Sequence, residues 1–276
     1  DHGKHYFNDN FMQSSVHKKV INFNRPQNFN STVYQTSSAN HALTYISGSN
    51  AEKLEQSSAF TAEANILIPA IRNNSDPGYF SSNLLSASVF GMHEAQIDPT
   101  DYTWVTNEIA NFEIYIAKTG IDESTGRFVI KNRDGSLYLE SDLYHDLYDN
   151  EKWNLAVRVK PDTYPLFGNV ASSSNPNYTL EFYGVTHNYD DVKHEFTLTA
   201  PLSYASGSSF LSNRKRLYAG SHYTNFTASA SKIAGSDIKV GGVRFYLDYL
   251  DNSIIRQHNI DTKNQGNFKS LRSSTL

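Results

Sequence analysis

Along most of this chain apolar and polar residues alternate with a period of two, which is the spacing of half-buried strands and not of amphipathic helices. Trp153, Leu155, Val157 and Val159 alternate with Asn154, Ala156, Arg158 and Lys160, so one face of that segment is large and apolar throughout. Phe60, Ala62, Ala64, Ile66 and Ile68 alternate with Thr61, Glu63, Asn65 and Leu67 until Pro69, which has no amide hydrogen for a ladder, ends the run. Phe112, Ile114 and Ile116 form a third such row, and Phe128 with Ile130 follows the polar turn at 123–127, which predicts a hairpin. Asp134 and Gly135 both tolerate positive φ and separate residues 128–131 from 137–139, so a second, tighter hairpin is expected there. Tyr178, Leu180 and Phe182 predict a strand closed by Gly184, Phe196 and Leu198 a shorter one closed by Pro201, and residues 217–220 and 238–247 the last two.

A helical spacing occurs in one place. Leu250, Ile254, Ile255 and His258 share a face, with Asp251 placed to cap the start. Stretches rich in Ser, Asn and Gly, such as 171–177 and 203–209, read as loops within one unit. No repeat with a period of 20 to 50 residues is visible, which disfavours propellers and solenoids. The expected fold is therefore all-β, a two-sheet antiparallel jelly-roll sandwich with one short C-terminal helix. Residues 1–19 read as an N-terminal arm, 20–261 as the sandwich and 262–276 as a tail or linker.

With 18 Tyr, 16 Phe and 38% hydrophobic residues, the chain holds enough material for a core of that size. It has no Cys, which rules out a disulfide framework and a thiolate metal site. The net charge of −4 comes without a basic block, so no nucleic-acid surface is expected; Arg214, Lys215 and Arg216 read as a solvated turn. Apolar runs such as 66–71, broken by Pro69, are too short for a helix to span a bilayer, and no membrane insertion is expected. The chain opens at Asp1 without a charged-then-apolar leader, and a segment of a longer polypeptide is the expectation.

Phe60-Thr61-Ala62-Glu63-Ala64 resembles the early strand, and Trp153-Asn154-Leu155-Ala156-Val157 the central strand, of the concanavalin A-like lectin/glucanase superfamily in its laminin G-like form. Tyr178 to Gly184 is similar to the strand and turn that follow. Leu217-Tyr218-Ala219-Gly220, then Ile238, Val243-Arg244-Phe245-Tyr246, Leu250-Asp251 and Ile254-Ile255 resemble the closing strands and capped helix. The resemblance implies that Val243, Phe245 and Leu247 point inward and that Leu250 and Ile254 cover an end of the sandwich. The stretches 161–177, 184–193 and 203–216 exceed what a minimal module of this kind needs, and they read as loops that carry contacts. The polar, Cys-free style of the chain also resembles modules of bacteriophage structural proteins.

The scaffold hosts lectins, enzymes and structural modules, so function has to come from sites. The glucanase branch carries a Glu-x-Asp-x-Glu strand that sets two carboxylates on one face. That pattern is missing here: Glu108 and Glu113 are five apart, and Glu113 and Glu181 read as solvent-facing strand residues. No catalytic residues are expected. For glycan binding, where rings stack on sugar faces and amides read hydroxyls, the candidates are Tyr164, Tyr189, His222, Tyr223 and Asn225. For a metal, Asp76, Asp98 and Asp101 are the carboxylates that would hold calcium if their loops converge, and no other cofactor is expected. His187, Asp190, Asp191 and His194, and the set Asp142, His145, Asp146 and Asp149, have metal-like spacing but are equally explained as loops; Leu143 and Leu147 suggest that the second set is a turn packed on a sheet.

These readings converge on a non-enzymatic structural or interaction module of a virion or cell-surface assembly, located on a virion or outside the cell. Its partners would be other protein subunits. A glycan-binding adhesin is the alternative, and a glycoside hydrolase ranks third.

Overall fold

The computed structural model describes residues 21–22, 42–44, 59–71, 85–94, 111–132, 135–164, 177–212, 215–219, 222–223, 233–234, 238–246, 248–262 and 273–274. Fifteen strands and two helices occur among them. In chain order they are β1 (Ile21–Asn22), β2 (Ala42–Thr44), β3 (Phe60–Ile68), β4 (Ser86–Glu94), β5 (Phe112–Lys118), β6 (Gly126–Lys131), β7 (Tyr138–Glu140), β8 (Glu151–Pro161), β9 (Tyr178–Asn188), β10 (Asp191–Leu202), α1 (Tyr204–Ser212), β11 (Lys215–Ala219), β12 (His222–Tyr223), β13 (Ile233–Ala234), β14 (Lys239–Tyr246), α2 (Asn252–Ile260) and β15 (Ser273–Ser274). A seven-stranded sheet runs β1-β14-β3-β8-β9-β10, with β15 also on β14, and a six-stranded sheet runs β2-β11-β4-β5-β6-β7. Strands β12 and β13 form a separate pair. All pairings are antiparallel, so the chain is the expected two-sheet sandwich.

The period-two rows meet between the sheets. Phe60, Ala62, Ala64, Ile66, Trp153, Leu155, Val157, Val159, Leu180, Phe182, Val243 and Phe245 come from the seven-stranded sheet, and Phe90, Met92, Phe112, Ile114, Ile116, Phe128 and Ile130 from the six-stranded one. The layer is locked by rings: Phe128 stands edge-on to Trp153 at 4.8 Å, Phe60 stacks on Phe245 at 5.3 Å, and Phe90 meets Phe112 edge-on at 5.8 Å. Both expected hairpins form, β5 with β6 and β6 with β7, and Gly135 takes the positive φ of 78° that the tight turn requires. Leu247 and Asp134 lie outside the described residues.

Several expectations are corrected. Two helices, not one, occur among the described residues: the stretch read as a loop at 203–209 forms α1. Ser203 accepts the amide of Ser206 through its Oγ at 3.2 Å, and Phe210 and Leu211 reach the core, with Phe210 6.2 Å from Phe60. Its Ser-rich composition hides those two anchors. Gly184 and Pro201 do not close their strands, since β9 continues to Asn188 and β10 to Leu202 as one long hairpin. Gly184 is instead a close approach: a Cβ there would lie 2.3 Å from the ring of Phe196, which crosses it from β10. The loop expected at 184–193 is therefore strand, a two-residue turn and strand. Lys215 and Arg216 belong to β11 and not to a turn. Helix α2 begins where expected, but Asp251 gives it a carbonyl, accepting the amides of Ile254 and Ile255, with no side-chain cap. It also packs on the outer face of the seven-stranded sheet and not over an end: Leu250, Ile254 and Ile255 join Ala156, Tyr183, Val185 and Tyr246 in a second, smaller apolar cluster.

Candidate functional site

Alternation sends every second strand residue outward, so each sheet has an outer face written in the polar half of the pattern. On the six-stranded sheet that face carries Ser88, Glu113, Tyr115, Arg127, Val129, Lys131, Tyr138 and Glu140. The ladders place Tyr115 beside Ser88 and Val129, Glu113 beside Lys131, and Lys131 beside Tyr138. Exposure rises across it, from buried Val129 and Glu113 through half-buried Tyr115 and Lys131 to Tyr138, 56% exposed on the short edge strand β7. Lys131 Nζ sits 4.9 Å above the Tyr115 ring. Arg127 donates to Glu140 Oε1 at 2.5 Å, and the Tyr138 hydroxyl donates to Glu140 Oε2 at 3.1 Å, which fixes the Tyr138 ring from one end.

Glu113 is the unusual member of this face. It is only 5% exposed, and its Oε2 has no hydrogen-bond partner. Burial pushes its carboxyl up to about 7 against the opposing pull of Lys131. Burial, with the charges of Tyr138, Glu113 and Glu140, likewise pushes the Tyr115 hydroxyl up to about 12, so the ring stays neutral. The arrangement offers two rings, a cation and several donors and acceptors on one surface.

The outer face of the seven-stranded sheet is built differently, because α2 lies on it. Glu63 on β3 is fully buried there. Its Oε1 accepts from Arg244 Nη1 at 2.9 Å and meets His258 Nδ1 at 2.8 Å, while its Oε2 accepts from Asn154 Nδ2 at 3.1 Å. Burial raises a carboxyl, but Arg244, His258 and Asn154 together outweigh that and hold Glu63 below the usual carboxylate value. Nearby, Glu181 pairs with Arg158 at 3.0 Å and Lys160 at 2.9 Å and accepts the Tyr249 hydroxyl at 2.8 Å. Burial raises Glu181 too, and those partners more than reverse it.

Glu113 and Glu181, expected at the solvent, are thus both buried, since long neighbours and the final helix cover the sheet faces. Of the expected glycan residues, Tyr164 donates its hydroxyl to Asp248 Oδ1 at 2.6 Å and packs on Tyr249, a contact that secures the segment before α2. Tyr189 is 93% exposed at the tip of the β9–β10 hairpin with φ of 57°, a left-handed backbone that a bulky residue seldom takes. His222 and Tyr223 form β12, with no described side chains, while Asn225 and the expected calcium ligands Asp76, Asp98 and Asp101 lie outside the described residues, as does Glu108. The structure does not bring the described glycan candidates onto one surface strand.

Of the two His/Asp sets, His187 Nδ1 pairs with Asn259 Oδ1 at 2.7 Å, and His194 Nε2 with Asp146 Oδ1 at 3.3 Å. Lys193 bridges Asp146 and Glu151. No group of three ligating side chains comes together among the described residues. Leu147 packs inward as expected and Leu143 does not. The residues that sequence reading passed over are Tyr115, Lys131 and Tyr138. They are legible in principle as the polar half of three hairpin strands, β5, β6 and β7, but alternation marks only the outward side and not what that side contacts.

No family model and no curated protein matches the sequence. Among solved structures, the chain is similar to the enzymatically active domain of bacteriophage CBA120 tailspike protein 2, with a TM-score of 0.42 and 13% identity over 83% of this chain and 27% of that one. It is also similar to the carbohydrate-binding module CBM40 of a Ruminococcus gnavus sialidase bound to α2,3 sialyllactose, with a TM-score of 0.34 and 12% identity over 79% of this chain and 96% of that one. A pentraxin from Limulus polyphemus follows at a TM-score of 0.36 and 7% identity, over 74% and 70%. These neighbours are concanavalin A-like jelly-roll proteins, and at such identities the likeness is one of fold. The chain spans about a quarter of the tailspike's length, 27%.

Proposed function

We propose that this chain is a non-enzymatic interaction module of a virion or cell-surface assembly, and that it binds a glycan on the outer face of the six-stranded sheet. The observation that carries this reading is the surface made by Tyr115, Lys131, Tyr138 and the Arg127–Glu140 pair. Tyr138 presents an exposed ring to the C–H face of a sugar, Tyr115 stands two strands away with Lys131 over its ring, and Lys131, Arg127 and Glu140 supply the donors and acceptors that hydroxyls need. The non-catalytic half of the reading is supported by the state of the carboxylates on the described sheets. Glu63, Glu181, Glu195, Glu151 and Glu140 each sit against a cation, Glu113 is buried with its Oε2 unpartnered, and Asp191 is exposed at the β9–β10 turn. A glycosidase needs two carboxyls placed on either side of one bond.

The test is a glycan array read with and without calcium, using the wild type and Tyr138→Ala. The expected result is binding to a restricted set of glycans, weakened about tenfold by Tyr138→Ala, the loss of one stacking contact of roughly 1–1.5 kcal/mol. An array without hits in either condition would overturn the glycan reading. Release of reducing ends from a bound glycan would overturn the non-enzymatic one.

A further inference from the structure

We propose that α2 is an acid-released cover, which lifts from the seven-stranded sheet at low pH while the sandwich beneath it stays folded. Two structural facts make the cover separable. The core between the sheets and the cluster beneath α2 are distinct, divided by the sheet itself, and α2 with its approach contributes only Leu250, Ile254 and Ile255 to the smaller one. Its remaining attachments are polar. Arg158 Nη1 donates to the Leu250 carbonyl at 2.9 Å and to Asn252 Oδ1 at 2.7 Å, Asn154 to the Ile255 carbonyl at 3.3 Å, Lys152 to the Asn259 carbonyl, and Arg256 forks onto Glu195. A segment held by few apolar contacts and many polar ones is the kind that opens locally before the whole domain does.

Glu63 is the pivot of these attachments. It is the carboxylate that faces the helix from the middle of the sheet, and it is contacted by Arg244 from β14, Asn154 from β8 and His258 from α2, whose ring stacks on Tyr246 of β14 at 5.9 Å. Farther out, Lys152, Arg158, Glu181, His187, Glu195 and Arg256 border the helix, and Arg244 also donates to the Thr262 carbonyl at 2.5 Å, beyond the helix end. From the sheet, the cations Arg244, Lys152 and Arg158 face the helix alongside the carboxylates Glu63, Glu181 and Glu195. When Glu63 is neutralised, Arg244 is left without its counter-charge in a dry site, and His258 loses the partner that draws the last turn of α2 inward. The sign follows from the direction of its shift. Glu63 ionises more readily folded than unfolded, so its contribution is present above the ordinary carboxylate range and is lost as pH falls through the folded value.

Hydrogen exchange on the full chain tests this, with protection factors corrected for intrinsic rates and measured between about pH 7 and about pH 3, well below the usual carboxylate value. The expected result is that amides of residues 254–261 lose protection tenfold or more over that range, while those of β3, β5, β6 and β8 keep theirs. Glu63→Gln should show the unprotected helix at both pH values. The double variant Glu63→Leu with Arg244→Met, which removes both charges together, should show a helix whose protection no longer depends on pH, and it serves if Glu63→Gln does not fold. Simultaneous loss of protection in α2 and the sheets would overturn the proposal, as would an unchanged pH profile in either variant.

Discussion

Glu63 and Glu113 are a matched pair on opposite sides of the molecule. Each points outward from a middle strand of its own sheet, and each is buried. They differ in company. Glu63 has Arg244, His258 and Asn154 on its two oxygens, and its charge is held in place. Glu113 has Lys131 in the next strand, but that ammonium lies over the Tyr115 ring, and Glu113 Oε2 is left without a partner. The comparison teaches that burial by itself does not fix what a carboxylate does. A covered face with its polar groups satisfied is part of the fold, whereas a face that leaves a buried acid unsatisfied stores unfavourable energy, as binding surfaces often do.

The largest expected effect tests the covered side. Glu63→Ala removes the counter-charge of a buried Arg244 and should destabilise the domain by about 3–5 kcal/mol at neutral pH, read as a lower urea midpoint. Replacing Glu63 and Arg244 together by apolar residues should recover most of that loss, since neither charge then remains stranded. Equal losses in the single and double variants would show that the pair is not a unit.

How much of this difference could be read from the sequence follows from what alternation reports. Trp153, Leu155, Val157 and Val159 face the core because a period of two leaves them no other choice, and the hairpin at Gly135 follows from turn chemistry. The same period says only that Glu63, Glu113 and Glu181 face the other way. Whether that other way is solvent depends on what crosses the sheet, and α2 arrives from nearly two hundred residues later to cover Glu63. Helix α1 was hidden for a related reason, since its two buried apolar side chains, Phe210 and Leu211, are too few to set a period. Gly184 read as a stop and proved to be a crossing point for Phe196, a contact no local pattern contains.

A middle-sized effect breaks the symmetry of the pair through pH. Glu113 has a folded value raised to about 7, above the ordinary carboxylate value of 4.5, so folding takes up a proton between those two values. Its contribution to stability is greatest below the lower value, declines as pH rises through the window and is flat above it, the reverse of Glu63. Glu113→Gln mimics the protonated form and should raise stability at pH 8 by roughly 1–3 kcal/mol while changing it little at pH 4. Urea unfolding of the two proteins across this range measures it. A gain that does not grow with pH would mean that the Glu113 carboxylate finds a partner when charged.

The smallest expected effect on stability falls where the proposed effect on function is largest. Tyr138 is exposed on a three-residue edge strand, and what it would lose on truncation is a hydroxyl contact with Glu140 and little packing. Tyr138→Ala should therefore cost less than about 0.5 kcal/mol, within the ordinary range of surface substitutions. Tyr115, half-buried beneath Lys131, makes the sharper contrast: Tyr115→Phe keeps the ring and its cation contact, so it should match the wild type in both stability and glycan affinity, while Tyr115→Ala should lose both. The two outer faces are then separable by experiment. If Tyr138→Ala destabilised the domain as strongly as Glu63→Ala, the six-stranded face would be structural like its counterpart, and the site would have to be sought elsewhere, with the strained and exposed Tyr189 at the hairpin tip as the next place to look.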